Sequence, residues 1–434
     1  MKRTAKNRIQ LSNRIYPIFF GLSTDLIFYI IINTLFLSEV KGLSASQINL
    51  MMTVSTLVSL FFYLASPKLI KKIGNARSVR LGSLMHLISI ILLTFSNGIV
   101  FLTIAQAIRG ISSVFKTVDA VILNNNLIAE NREDDFTKIR SKAFSIYSSA
   151  TLITSLLSGL LFSINPYIPM IISIVICFAT FIMSYFIYEV DTNDKTTSHH
   201  DNTEKYAPVS HTQTSSTTQL HLKDKFHFKI HFSIIAIYAI ITYGLIYGMV
   251  EVCQNNDKLF LQYRLESFLN ISEIAIILSI TVFLSRIARL LSNLFFNKIY
   301  AKLKNKMLIL IGLSLIVSVG LFIVGKVLPS AIAGSVIMGI GFIILLTLRD
   351  PTENLLTNIL LHHSEKEQKE KAILYLQFTR RLVVFALSLF ATLILNEYEY
   401  IHLYIIFFII ATLYLFVIKK LLALTSCEKP RSSV

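Results

Sequence analysis

The chain of 434 residues has no tryptophan, three cysteines, eight prolines and fifteen glycines, and only 15% of its residues are charged. Cys177, Cys253 and Cys427 form an odd and widely spaced set, which offers neither a disulfide framework nor a thiol-based zinc site. No Gly-x-x-x-x-Gly-Lys-Ser/Thr loop is present to cradle phosphates, and there is no Gly-x-Ser-x-Gly elbow or His-Glu-x-x-His pair. ATP as an energy source and the common hydrolytic chemistries therefore find no residues to carry them, and neither an enzymatic activity nor a cofactor is expected. What is abundant is apolar: 54% of residues are hydrophobic and the mean hydropathy is +0.64. Runs of about 20 apolar residues recur along the chain, long enough to cross a hydrocarbon core of roughly 30 Å. The sequence reads as an all-α polytopic membrane protein.

Six apolar segments occupy roughly 15–37, 47–66, 79–96, 99–123, 143–163 and 167–188, and six more occupy 230–253, 270–296, 307–325, 329–361, 373–395 and 401–422. Between them, residues 189–229 are rich in Ser, Thr, Asn, Asp and His without an apolar period, as a polar linker is. The expected organisation is a six-helix bundle over 1–188, the linker, and a second bundle with a short tail over 230–434. The basic N-terminus lacks a small-x-small cleavage site, so the first segment is expected to stay as a membrane helix. Six of the ten histidines, His199, His200, His211, His221, His227 and His231, lie in or beside the linker, where no carboxylate or thiol cluster completes a metal site.

Lys and Arg outnumber Asp and Glu by 41 to 25. The excess gathers in alternate turns: Lys2, Arg3, Lys6, Arg8 and Arg14 at the N-terminus, Lys68 to Arg80, Arg132 to Lys142, and Lys298 to Lys306. The opposite turns hold only Lys41, Lys258, Arg264 and Lys326. This asymmetry predicts both termini and the linker on the cytoplasmic side of the cell membrane, and it accounts for the charge without a nucleic-acid partner. The basic turn Lys68-Leu-Ile-Lys-Lys-Ile-Gly-Asn75 is echoed at Lys298-Ile-Tyr-Ala-Lys-Leu-Lys-Asn305, an offset of 298 − 68 = 230. Similar offsets relate Leu35-Phe36-Leu37 to Leu259-Phe260-Leu261, Ser46 to Ser272, Asp119 to Asp350, and Lys142-Ala143 to Lys371-Ala372. Twelve transmembrane helices built as two parallel six-helix repeats follow.

In this layout, with its long central linker and basic second and eighth turns, the chain resembles the major facilitator superfamily. The family's Gly-x-x-x-Asp-Arg-x-Gly-Arg-Arg turn aligns Gly74 with the second glycine and Lys72 with the first basic residue, while Lys71 stands where the acid is expected and Pro67 replaces the first glycine. In the Arg-x-x-x-Gly motif of helix 4, Gln106 occupies the arginine position relative to Gly110, with Arg109 beside that glycine; helix 5 keeps only Ser158-Gly159 of the exporters' Gly-Pro pattern. The resemblance implies two bundles that rock about a central site lined by helices 1, 4, 7 and 10, probing a small-molecule substrate from each side in turn, as a functional monomer in the lipid bilayer.

Ionisable groups deep in apolar helices are costly and mark candidate sites. Asp25 and Arg109 each lie about ten residues, or roughly 15 Å, into helices 1 and 4, so they are expected to meet as a proton or substrate switch or as a structural ion pair. Tyr29 and Asn33 follow Asp25 at helical spacing. Gln106 of the helix 4 motif, and Tyr247 within Gly244-Leu-Ile-Tyr-Gly248 of helix 7, join the candidates for substrate contact or coupling; Glu251 is expected near the outer end of that helix. A cytoplasmic gate is expected from Lys72, Gly74, Lys116, Asp119, Arg286, Arg289, Arg349, Asp350, Glu353 and Arg380. Thirty-one phenylalanines and eighteen tyrosines, with few mid-membrane charges, predict a largely apolar cavity. That points to a secondary active transporter, and to proton-coupled export of amphipathic or drug-like compounds. Uptake of a small polar nutrient such as a sugar or peptide is the alternative, and a sealed membrane sensor or scaffold the third.

Overall fold

The computed structural model describes residues 2–26, 28–132, 135–190, 233–303, 306–364 and 369–427. The histidine-bearing linker lies outside the described residues. Among the described residues ten helices are long and apolar enough to cross a membrane, and two shorter apolar helices, Tyr29–Val40 and Ile168–Ser184, complete a twelve-crossing plan. Large apolar side chains such as Phe61, Phe95, Ile164, Val175 and Phe416 are exposed around the outside, where lipid takes the place of a packed neighbour.

The first half runs α1 (Lys2–Ser23), α2 (Tyr29–Leu35) with a π-helical turn (Phe36–Val40), α3 (Ala45–Ile73), α4 (Asn75–Phe95), α5 (Ile99–Lys116), α6 (Asp119–Ala129), α7 (Asp135–Ile164) and α8 (Ile168–Ser184). The second runs α9 (Ile234–Leu265), α10 (Ile271–Leu303), α11 (Lys306–Val327), α12 (Ala331–Thr347), α13 (Arg349–His362), α14 (Lys369–Glu397) and α15 (Tyr400–Cys427). An even number of crossings returns the C-terminus to the face on which α1 starts. The halves meet where α7 packs on α10 and α3 on α14. Apolar side chains gain little by leaving lipid for a neighbour, so close approach of small residues does that work. At Gly159 of α7 an added Cβ would lie 2.5 Å from Ser279 Oγ of α10, so the two backbones cross in near contact. Gly244 and Gly248 instead seat α9 against Thr379 and Val383 of α14, within one half.

Three crossings expected as single helices are interrupted. Helix 1 begins at Lys2, earlier than expected, and stops after Ser23, where Thr24 Oγ1 donates back to the Phe20 carbonyl at 2.6 Å. Ser-Thr-Asp competes with the helix for its own backbone groups, and the Lys116 ammonium takes the freed Ser23 carbonyl. Helix 4 breaks at Thr117–Val118 and helix 10 at Leu348, 230 to 231 residues apart, in step with the duplication. Asp119 and Asp350 both fall in the first turn beyond the break, where the open N–H groups favour an acid, and Pro351 sits harmlessly in that same turn. Helix 7 goes the other way: its polar run Gln254-Asn-Asn-Asp257 stays helical, and α9 extends to Leu265 because Asn255, Asn256 and Asp257 find partners on other helices while Gln254 faces the central cavity.

Candidate functional site

The break in helix 1 opens one wall of a central cavity of about 330 Å³. From the first half it is lined by Asp25, Asn33, Ser59, Gln106, Arg109 and Lys116, and from the second by Glu251, Gln254, Asn255, Arg349, Arg380 and Arg381. Below it, toward the terminus-bearing face, a vestibule of about 950 Å³ separates α7 from α10 and α13. Toward the opposite face the halves are stitched together: Asn49 to Asn256 at 2.9 Å, Asn33 to Asn255 at 3.4 Å, Gln262 to Ser38 at 2.6 Å and Ser46 to the Thr392 carbonyl at 3.1 Å. The Lys258 ammonium, buried, reaches across to the Ile30 carbonyl at 2.8 Å and to Asn33 Oδ1. The halves are therefore bonded together on that side, and the vestibule lies on the terminus-bearing side.

Asp25 and Arg109 both line this cavity, and they do not pair. Asp25 Oδ2 instead accepts a hydrogen bond from Tyr147 of α7 at 2.7 Å, and no cation bonds it among the described residues. The interruption after Ser23 swings Asp25 off the helical path on which it and Arg109 were expected to meet. Arg109 lies over the Tyr29 ring at 5.8 Å and makes no hydrogen bond or ion pair among the described residues. Tyr29 is fully buried, its hydroxyl receiving the Gln106 amide at 2.8 Å, so it backs the cavity wall from behind.

Glu251 corrects a second expectation. Because α9 continues to Leu265, Glu251 sits about 26 Å along a helix of roughly 48 Å, at mid-depth and not at the outer end. There it accepts from Arg380 at 2.7 Å and Arg381 at 3.4 Å. Arg380 thus belongs to the cavity, not to a gate with Asp350 or Glu353. Arg349 also turns inward, its Nε donating to the Tyr247 hydroxyl at 2.6 Å.

The remaining expected gate residues divide into separate groups. Arg289 makes a forked pair with Asp350, Nε to Oδ2 at 2.6 Å, and Asn293 adds a bond at 2.5 Å, all within the second half. Asp119 accepts from Tyr16 at 3.4 Å and lies 3.7 Å from Arg140, whose guanidinium is stacked on Phe20 at 4.3 Å, all within the first half. Arg286 and Glu353 line the vestibule, and Arg286 Nε is buried without a partner. Lys72 points to solvent, and Gly74, at φ +91°, is the one-residue link between α3 and α4 that its backbone freedom allows.

The sequence reading passed over Tyr147, gave Arg380 and Arg381 to Asp350 or Glu353 where both pair with Glu251, and named Lys258 only as a turn residue. Lys258 had been assigned to a solvated turn; its signal was the unbroken helical period through 254–265. The charges surrounding the cavity do not balance. Five cations, Arg109, Lys116, Arg349, Arg380 and Arg381, face two carboxylates, and Arg380 and Arg381 share one of them. An apolar cavity was expected; the lining is polar and positive.

Residues 15–352 match the Major Facilitator Superfamily. Among solved structures, the nucleoside transporter NupG superposes with a TM-score of 0.68 at 11% identity, covering 97% of this chain and 100% of that one. The peptide transporter POT gives 0.63 at 11% identity over 96% and 94%, and a bacterial homologue of the iron transporter ferroportin in an inward-facing state gives 0.62 at 14% over 95% and 99%. At these identities the likeness is one of fold. No curated protein sequence matches the chain.

Proposed function

Because the chain belongs to the Major Facilitator Superfamily, we propose that it is a secondary active transporter carrying a small, negatively charged polar solute by alternating access. The observation behind this reading is the cavity's excess of cations, with Arg109, Lys116 and Arg349 making no ion pair within 4 Å of a carboxylate among the described residues. Unpaired guanidinium groups at low dielectric attract carboxylate or phosphate strongly, and their planar forks suit both. A volume of about 330 Å³ lies at the small end of ligand pockets. Positive clefts also concentrate anions kinetically.

Proton coupling belongs to the same proposal, with Asp25 as its residue. It is a carboxylate facing the cavity, held by a phenol and not neutralised by a cation. Flux of an anion into proteoliposomes under an imposed pH gradient should lose its gradient dependence in Asp25→Asn; full-rate gradient-driven flux would remove Asp25 from the mechanism. The basic turns further support a cell-membrane protein with cytoplasmic termini, acting as a monomer, in which case the vestibule opens inward.

Export of amphipathic compounds is the second reading, favoured by Leu26, Ile30, Leu37, Ile48, Met51, Met52 and Val384 among the cavity residues. The two readings are separated by thermal unfolding of purified protein with panels of polar anions, neutral sugars and nucleosides, peptides, and amphipathic cations. Polar anions should raise the unfolding midpoint, and Arg109→Gln should abolish the rise. Stabilisation by amphipathic cations and not by anions would overturn the anion reading.

A further inference from the structure

Each half presents the cavity with an arginine beside a tyrosine. In the first, Arg109 of α5 lies 5.8 Å above the ring of Tyr29 on α2, and Gln106 of α5 donates to the Tyr29 hydroxyl. In the second, Arg349 of α13 lies 5.5 Å from the ring of Tyr247 on α9 and itself donates to that hydroxyl. The tyrosines belong to the first crossing of each half and the arginines to the fourth, at spacings of 247 − 29 = 218 and 349 − 109 = 240 that fall outside the repeat offset, and the two arginines line one cavity from different halves. In the first, the Tyr29 ring supports Arg109; in the second, Arg349 meets the hydroxyl end of Tyr247, whose ring carries Arg380 at 4.3 Å, and neither Arg109 nor Arg349 makes an ion pair with a carboxylate among the described residues. The acids nearby are already engaged: Glu251 with Arg380 and Arg381, and Asp25 with Tyr147.

From this arrangement we infer that the transported solute bears two separate anionic groups, one for Arg109 and one for Arg349, joined by a short spacer. The inference rests on the anion reading above and specifies its substrate class. A solute with one anionic group satisfies one guanidinium and leaves the other desolvated and unmatched. A solute with two bridges the halves, so its binding energy differs between arrangements of the halves, and only a differential affinity can move that equilibrium. Each fork offers two parallel N–H donors to a carboxylate or phosphonate, and each end gains from charge-assisted bonds.

The test measures binding of butyrate, glutarate and adipate, and of methylphosphonate and propane-1,3-bisphosphonate, to the purified full chain by titration calorimetry. At least one two-anion compound should bind about tenfold or more tightly than its one-anion counterpart, the size of one charge-assisted hydrogen bond. Arg109→Gln and Arg349→Gln should each erase that preference, leaving one- and two-anion compounds equal. Arg109→Lys and Arg349→Lys, which keep the charge and lose the fork, should retain part of it, and they replace the glutamine variants if those elute as aggregates. Equal affinity of one- and two-anion compounds for the unaltered protein would overturn the inference while leaving the anion reading intact. Failure of every carboxylate and phosphonate to bind would overturn both.

Discussion

Toward the face opposite the termini, the seam between the halves is crossed by amides, hydroxyls and one ammonium: Asn33 with Asn255, Asn49 with Asn256, Gln262 with Ser38, and Lys258 with the Ile30 carbonyl. Toward the terminus-bearing face the strong pairs, Arg289 with Asp350 and Arg140 with Asp119, each stay inside one half. The division follows from what each contact must survive. A neutral hydrogen bond contributes about 1 kcal/mol net and can be remade every cycle, whereas opening a buried ion pair costs several kcal/mol. The seam is therefore held by single hydrogen bonds that can exchange, with the Lys258 ammonium the strongest of those named, while these two ion pairs stay within a half.

The largest disturbance should come from the pivot that both faces share. Gly159→Leu drives a side chain into Ser279 and the Ala275 carbonyl, and overpacking of this kind costs about 3 kcal/mol, with transport falling to background in a flux assay. Arg289→Ala leaves the half-buried Asp350 without its cation and should lower stability by about 2 kcal/mol in thermal unfolding. Because that pair lies within one half, labelling of the cavity from either face should not change. Lys258→Met should do the reverse. With the ammonium gone the seal weakens by about 1.5 kcal/mol, roughly tenfold in population. Maleimide labelling of Leu37→Cys from the sealed side, in a chain without Cys177, Cys253 and Cys427, should rise accordingly.

The smallest effect is one of pH. Burial, with the Glu39 carboxylate beside it, raises the Glu266 carboxyl above its ordinary value, although Gln262 hydrogen-bonds to it. A raised acid holds its proton more tightly in the sealed arrangement than in solvent. Acidification therefore favours the seal, and its contribution is lost as pH climbs from the usual glutamate range through the raised value. Glu266 is exposed enough to limit the change to about twofold in labelling, and Glu266→Gln should remove it.

The twelve crossings and their duplication were legible because each depends on local properties: apolar length, basic turns and a constant offset. The breaks in helices 4 and 10 at equivalent positions, flanked by Asp119 and Asp350, could have been read from that same offset. The break in helix 1 was signalled only by Ser23-Thr24-Asp25, three poor helix formers inside an apolar run. The site was harder, since sequence gives depth along a helix but not partners across a cavity. Glu251 was misplaced because Gln254 to Lys258 read as a solvated helix end, whereas Asn255 to Lys258 are hydrogen-bonded by Asn33, Asn49, Ile30 and Tyr404 from other helices. Arg380 was assigned to the wrong acid for the same reason. Arg286, expected in a cytoplasmic gate, lines the vestibule.

The central claim is that the positive cavity selects a small anion, and counterflow in proteoliposomes tests it most directly. Vesicles loaded with an unlabelled dicarboxylate should accumulate the labelled compound through the unaltered protein. Arg109→Gln, folded and inserted, should reduce the initial rate by about tenfold or more. Counterflow of neutral or cationic solutes but of no anion, or an Arg109→Gln protein as fast as the original, would contradict the account.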